Sequence, residues 1–345
     1  MSTNACLKEM RVSTLVMHRT RTALLLGAAT VAICLGTFSE ALLAQNFPEK
    51  PLRLIVGQAA GTSPDVVARA VAAKWGELLG HPVIVDNRPG AGESIAAEAV
   101  ARATPDGYTI LFGSIASHGI GPALNKRLPY DPARDFAPIS LVGTVPNVLV
   151  AHPGLPVRGV SEFVAYVKAN PGKLSYASAG VGTSTHLGME LLKAKMTLDI
   201  VHVPYKSGSA AFTDVVGGQV AAGLFNLPSQ LPLIKSGKLR ALGVSSMKRS
   251  AQLPDVPTID ESGVSGYEVV VWYAIFAPAG TPRAIQAQLH ASLVKAIESA
   301  ELRERMTGQL GLEPTTSTPG ELAQFSQAEI RKWARAAQEA GVRVE

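Results

Sequence analysis

After Pro48 the chain alternates short apolar runs with longer segments of helical periodicity. LRLIVG (52–57), PVIVDN (82–87) and YTILFG (108–113) read as strands. Between the first two, Val67, Val71, Trp75 and Leu78 recur on one side of a helix. An Ala-rich helix is expected near 93–103, and the turn Pro105-Asp106-Gly107 leads into the third strand. Continuous apolar strands separated by helices predict a parallel sheet covered on both faces. FAPISLVG (136–143) and PNVLVAHP (146–153) then follow with only Thr144 and Val145 between them, which predicts two strands and a short join where the chain leaves one sheet for another.

A second β/α series runs through LSYASAG (174–180), DIVHVPY (199–205), VAAGLF (220–225) and LRALGVSS (239–246). VVVWYAIFAP (269–278) reads as a return crossing. Thr281-Pro282 opens a helix carrying Ile285, Leu289, Leu293 and Ile297. Thr318-Pro319-Gly320-Glu321 has capping-box spacing and starts a last helix with Leu322, Phe325, Ile330 and Trp333. The expected architecture is two α/β domains joined by two crossings, near 144–146 and 269–272. One domain is 45–145 together with 270–345; the other is 146–269. Ligands bind such sheets at the carboxyl ends of strands, so two facing domains make a cleft.

Composition narrows the class. The 345 residues are 47% hydrophobic and 17% charged, which is globular and gives ample core for one large or two medium domains. The first 44 residues read as a cleaved secretory signal: Arg19 and Arg21, an apolar run from Ala23 to Leu35, and Leu42-Leu43-Ala44 before Gln45. That run is too short to span a bilayer. Both cysteines, Cys6 and Cys34, fall inside the first 44 residues, so the mature chain is expected to have no disulfide and no thiol chemistry, as suits an oxidising periplasm. Four of the 32 basic and two of the 27 acidic residues also lie there, leaving 28 against 25. Without a basic run, nucleic acid is not an expected partner.

The usual catalytic constellations are missing. Gly92-Glu93-Ser94-Ile95-Ala96 lacks the second glycine of a nucleophile elbow. Gly90-Ala91-Gly92 opens a helix after a strand, but Ile95 stands where a dinucleotide fingerprint needs a small residue. Ser245-Ser246-Met247-Lys248 satisfies Ser-x-x-Lys without a Lys-Thr-Gly to follow, and leaves an exported serine hydrolase as the enzymatic alternative. His81, His118, His152, His186, His202 and His290 show no ligand spacing, so neither a metal nor a cofactor is expected. What remains are two loops of small residues, each between a strand and a helix: Gly57 to Ser63, and Ser178 to His186. Thr183 or Ser184 suits an N-cap. Two such helix starts facing one cleft would hold a carboxylate on backbone N–H groups, each start acting as about half a positive charge.

From these residues outward the chain resembles the Bug family of periplasmic solute-binding proteins, the receptors of tripartite tricarboxylate transporters. The matching elements include FPEKPLRLIV, VIVDNRPGAG (83–92), PDGYTILFG (105–113), LPYDPARDFAPIS (128–140), SAGVGTSTHLGMELL (178–192), HVPYKSGSAAF (202–212) and WYAIFAPAGTP (272–282), in order over 47–345. The resemblance implies a two-domain periplasmic-binding-protein (Venus-flytrap) fold and a small organic carboxylate held between the domains. It implies a monomer in the periplasm that delivers its ligand to membrane components of the transporter; a sensor that presents ligand to a membrane receptor is the alternative. Carried over, the first loop supplies Ala60, Gly61, Thr62, Ser63 and Asp65. The second supplies Ser178, Gly180, Val181, Gly182, Thr183, Ser184 and His186, and Phe225 and Asn226 complete the site.

Three positions depart from the family pattern. Thr62 follows Gly61 where two glycines are usual, Ser207 replaces a common glycine, and Phe225 stands where many members carry an aspartate. Phe225 either packs in the core or faces the cleft, and in the second case it favours a ligand without an amino group. Asp65 is open to two readings, a site residue or an acid complementing the helix dipole. Arg88 and Lys206 are read as surface residues, and Trp272 and Tyr273 as packing on the return crossing.

Overall fold

The computed structural model describes residues 47–125 and 127–342; the expected signal segment, 1–44, lies outside them. The chain runs β1 (Leu52–Val56), α1 (Ser63–Leu79), β2 (Val83–Asn87), α2 (Ser94–Ala101), β3 (Thr109–Ser114), α3 (Gly121–Leu124) and β4 (Phe136–Ala151). It continues through α4 (Val160–Ala169), β5 (Ser175–Ser178), α5 (Ser184–Met196), β6 (Val201–Pro204), α6 (Gly208–Val216), β7 (Ala222–Asn226), α7 (Leu227–Lys235) and β8 (Arg240–Val244). The last elements are β9 (Val270–Pro278), α8 (Arg283–Glu298), α9 (Ala300–Glu304), β10 (Glu313–Pro314) and α10 (Pro319–Glu339).

The strands follow the order β2-β1-β3-β9-β4-β7-β5-β6, with β8 and β10 both paired to β4. Pairing is parallel at both ends of this order, among β2, β1 and β3 and among β7, β5 and β6. It is antiparallel wherever β4 or β9 takes part, so the expected all-parallel sheet holds only away from the crossings. The expected join at Thr144-Val145 does not exist. Thr144 pairs with Trp272 and Val145 with Val271, inside one 16-residue strand. Both are β-branched and suit a pleated surface, so they extend the strand instead of ending it. From Phe136 to Pro146 β4 pairs with β9; from Asn147 onward it pairs with β7 and β8. The two-residue β10 escaped the sequence reading because it is too short to show a period.

The helical spacing holds with one exception. Val67, Val71 and Trp75 are buried, whereas Leu78 is 37% exposed near the end of α1. Ile285, Leu289, Leu293 and Ile297 are buried, and the capping box at Thr318 and Glu321 forms. In α10 Leu322 and Trp333 are buried and Phe325 and Ile330 half-buried. Buried Glu329 accepts from the indole N–H groups of both Trp272 and Trp333 at 3.0 Å, which ties α10 to the crossing strand β9.

The two crossings are tied to each other by Ser245, just past β8. Its amide donates to the Asn147 carbonyl (2.9 Å) and its Oγ accepts from the Asn147 amide (2.8 Å). The same hydroxyl donates to the Val269 carbonyl at 2.6 Å, and the Val269 amide returns a bond to the Ser245 carbonyl at 2.9 Å. All three residues are fully buried and Lys248 is exposed, so the serine of the Ser-x-x-Lys match is a structural clamp. Ser245→Ala would strand the Asn147 N–H and the Val269 carbonyl away from water. A loss of about 1–3 kcal/mol is expected, read as a lower urea midpoint at unchanged slope.

Candidate functional site

The carboxyl ends of β1, β3, β5 and β7 open onto one cavity of about 470 Å³, counted to its open mouth. Thr62, Ser63 and Pro64 at the start of α1 form one part of its wall. Thr183, Ser184 and Thr185 at the start of α5 form another, and Phe225 and Asn226 lie where β7 passes into α7. The two small-residue loops therefore meet at one place, as their sequence predicts. Among the described residues no three or more His, Cys, Asp or Glu side chains group as a metal site would require.

The two helix starts share an arrangement. Thr62 and Thr183 hold the N-cap positions in extended conformation, and neither hydroxyl caps its own helix. Thr62 Oγ1 instead donates back to the Ala59 carbonyl at 2.6 Å, and Thr183 Oγ1 to the Gly180 carbonyl at 2.7 Å. Each threonine thus closes its loop three residues upstream and leaves the first-turn amides uncapped by its own side chain. Some other helices are capped by their own side chains: Ser207 accepts from the Ala210 amide, and Thr318 from that of Glu321, whereas α4, α7 and α8 also start without such a cap. Uncapped helix starts on two walls make the cavity electropositive on those sides without a lysine or arginine in its lining.

Several expected site residues brace the loops from outside the cavity wall. Asp65 is buried and accepts from the Gly61 amide (2.9 Å), the Asn87 amide group (3.0 Å) and Arg69 (2.9 Å). Burial pushes its carboxyl up, but the bonds from Arg69, Gly61 and Asn87 outweigh this and hold it below the usual range. Ser178 meets His202 at 2.7 Å and accepts from the Gly180 amide, while His186 stacks on His202 with ring centres 4.4 Å apart. Ala60, Gly61 and Val181 are exposed and Gly182 half-exposed at the loop tips; these four, with Asp65, Ser178, Gly180 and His186, are not in the lining. Gly61 and Gly182 have room for a Cβ, and it is their φ of 78° and 81° that requires glycine. The tight approach is at Gly57, whose Cβ would lie 2.6 Å from the Cβ of Glu93.

Ser63 reaches across the cavity. Its Oγ accepts from the Ser229 amide at 3.0 Å and lies 3.1 Å from the Asn226 carbonyl. Asn226 is the N-cap of α7 and leaves its own side chain out of capping, so Ser63 caps that helix from the far side of the cleft.

Several lining residues, Ser114, Phe212 and Ser229 among them, were not expected from sequence, and two of these unexpected residues, Glu93 and Tyr273, matter most for the chemistry. Glu93 follows Gly90-Ala91-Gly92 with φ 74°, a left-handed conformation rare for a residue with a side chain. Its carboxyl is buried and accepts from Ser114 Oγ (2.6 Å) and Gln58 Nε2 (3.4 Å). Burial raises it to about 7, against the opposing hydrogen bonds of Ser114, Gln58 and Ser117. Tyr273 lines the cavity too, instead of only packing on the crossing strand, and its buried hydroxyl has no partner among the described residues. Phe225 is buried and lines the cavity with its ring edge-on to Phe212, so both readings of it were half right. No sequence pattern marks Glu93; the only local signal is the glycine run before it.

Buried ionisable groups give the fold a pH signature of mixed sign. Burial lowers His118 to about 3 and His202 to about 4, so both stay neutral when folded and charge on unfolding below about 6.5. They cost stability as pH falls. Glu93 does the reverse, because its folded value lies above its unfolded one and it holds a proton the unfolded chain releases between about 4.5 and 7. Glu93→Gln removes only that gain. Between pH 6.5 and 5 its unfolding free energy should fall more steeply than the parent's, by up to about 1.4 kcal/mol per pH unit, measured by urea titration.

Two α/β halves joined through paired crossing strands, with a cavity at the strands' carboxyl ends, define the class of bilobal solute-binding proteins. A model of the family described as "Tripartite tricarboxylate transporter family receptor" matches residues 67–342. Protein BugT of Bordetella pertussis (strain Tohama I) is 36% identical over 329 residues, 95% of this chain and 100% of that protein. The solved periplasmic binding protein BugD superposes with a TM-score of 0.83 at 37% identity, covering 87% of this chain and 100% of BugD. R. palustris Rpa4515 with adipate gives a TM-score of 0.84 at 34% identity, covering 86% of this chain and 99% of that one. The chain belongs to this receptor family, known also by its Bug members, which is a family of binding proteins and not of enzymes.

Proposed function

We propose that the protein is an extracytoplasmic receptor that captures a small carboxylate between two lobes and hands it to the membrane part of a tripartite tricarboxylate-type transporter. The observation that carries this reading is the pair of helix starts, on α1 and α5, that keep their first-turn amides free of their own caps and open onto one cavity. A carboxylate can accept from both, and that pairing is the kind a helix start favours. The adipate carried by Rpa4515 supports the ligand class, and BugD supports a periplasmic location. On this reading residues 1–44 are a cleaved export signal, and the lobes are 45–145 with 270–345 and 146–269. The change of β4 partners between Pro146 and Asn147 supports the second boundary. The protein acts as a monomer and does no chemistry on its ligand; the commitment of Ser245 to its clamp argues against a hydrolase.

Calorimetric titration and thermal shift with a panel of mono- and dicarboxylates test the reading directly. Ser184→Pro is the sharper probe. Ser184 is the first residue of α5 and Thr183 before it is already extended, so proline fits the backbone and removes one cavity-facing N–H. An affinity loss of about tenfold or more is expected with little change in melting temperature, whereas Ser184→Ala should stay close to the parent. Equal affinity in the Ser184→Pro variant would remove α5 from the site. Turnover of an ester or lactam that ceases in Ser245→Ala would overturn the binding-protein reading.

A further inference from the structure

The cavity lining carries charge of both signs. The starts of α1 and α5 are electropositive, and the same lining holds one acid, Glu93, beside Gln58 of the first loop, and no lysine or arginine. We propose that Glu93 is the counter-ion for an ammonium group on the ligand, so that the site selects carboxylates that also carry an amino group. This rests on the carboxylate reading above.

Glu93 is built in at a conformational cost. Its main chain sits at φ 74°, a conformation that disfavours a side chain, and its Cβ packs where Gly57 has no side chain. Ser114 and Gln58 hold the carboxyl in place and Ser117 adds a third hydrogen bond, still fewer than its oxygens can accept. The groups that face it are uncharged on every side: Gln58 after β1, Ser114 and Ser117 at the end of β3, Tyr130 ahead of β4, and Tyr273 on β9. His118, bonded to Ser117 and stacked on Phe276 at 3.8 Å, is held neutral by burial. A buried carboxylate with no cation beside it is costly, and a ligand ammonium removes that cost. The unpartnered Tyr273 hydroxyl in the same lining offers a second acceptor for an ammonium N–H. A second ligand carboxylate in that place would meet a like charge instead. The apolar edge of the cavity at Phe212 and Phe225 then accommodates the carbon body, and with Glu93 as the acid the cavity-facing Phe225 no longer argues for a ligand without an amino group.

The test is calorimetric titration of the full mature chain at pH 8 with matched pairs: glutamate and glutarate, aspartate and succinate, leucine and 4-methylpentanoate. The amino member of at least one pair should bind about tenfold tighter or better, a difference near 1.4 kcal/mol. Glu93→Gln should bring the two members to within about threefold, with a melting temperature at pH 8 no lower than the parent's, since the variant loses a buried charge. Affinity for the amino acid should also fall as pH drops from 8 to 5, by up to about tenfold per unit below 7, because only ionised Glu93 pairs with ammonium; the variant should lose that slope. Tighter binding of the desamino acid in every pair would overturn the counter-ion and leave the carboxylate reading standing. So would an amino preference that survives Glu93→Gln. Binding by neither member of any pair would sink both.

Discussion

The antiparallel pairing of β4 with β9 is the constraint on which the cleft depends. Both strands run from one half of the sheet toward the other and stay paired, through two shifts of register at Pro138–Ser140 and Leu141–Gly143, as far as Pro146 and Val270, so the two crossings are coupled. At that point β4 passes to new partners, β7 and β8, and the Ser245 clamp gathers Asn147 and Val269 into one hydrogen-bonded knot. A knot made of buried backbone groups is stiff, because every partner lost there is a polar group left without water. The few residues that join the halves are where the proposed receptor has its hinge if it closes on its ligand.

With the crossing fixed, the polarity of the cavity follows from which backbone groups are left over. Parallel strands at each end of the sheet deliver their carboxyl ends, and the helices that follow them, to the same side. Thr62 and Thr183 then decide what those helices present. By bonding backward to Ala59 and Gly180 they stabilise the loops and keep the amides of the next turn uncapped. Asp65 does related work from behind: it anchors the Gly61 amide and links α1 to Asn87 at the end of β2. It supports the loop without entering the cavity.

The layout of strands and helices was legible in sequence because each element carries its own period: the apolar runs, the four-residue repeat of α8, the capping box of α10. The meeting of the two loops was legible as well, from their small residues and from the resemblance they supported. Three things were not. The continuity of β4 through Thr144 and Val145 depends on pairing with Trp272 and Val271, more than a hundred residues away, and no local pattern reports such a partner. The small-residue loops do not say by themselves which glycine is needed for what: at Gly61 and Gly182 the protein's own demand is on φ, and the crowded glycine is Gly57. Glu93 and Tyr273 became site residues only through tertiary approach, since one follows β2 and the other lies on β9.

Ser63 makes one of the direct contacts between the halves, beside the bond from Gln252 to the Thr307 carbonyl and the packing of α10 on α5. Its hydroxyl serves the Ser229 amide of α7 as an N-cap would, and one such bond is worth about 0.5–1.5 kcal/mol net. That is a population shift of about tenfold at most, well short of what turns a two-state equilibrium fully over. On the proposed reading, a molecule that touches both halves at once adds to the bias toward closure. A carboxylate on the starts of α1 and α5 is such a molecule, since those helices belong to different halves of the sheet and neither offers its full set of donors alone. Closure and recognition are then the same event, and a ligand that satisfied only one helix start would bind without closing the cleft.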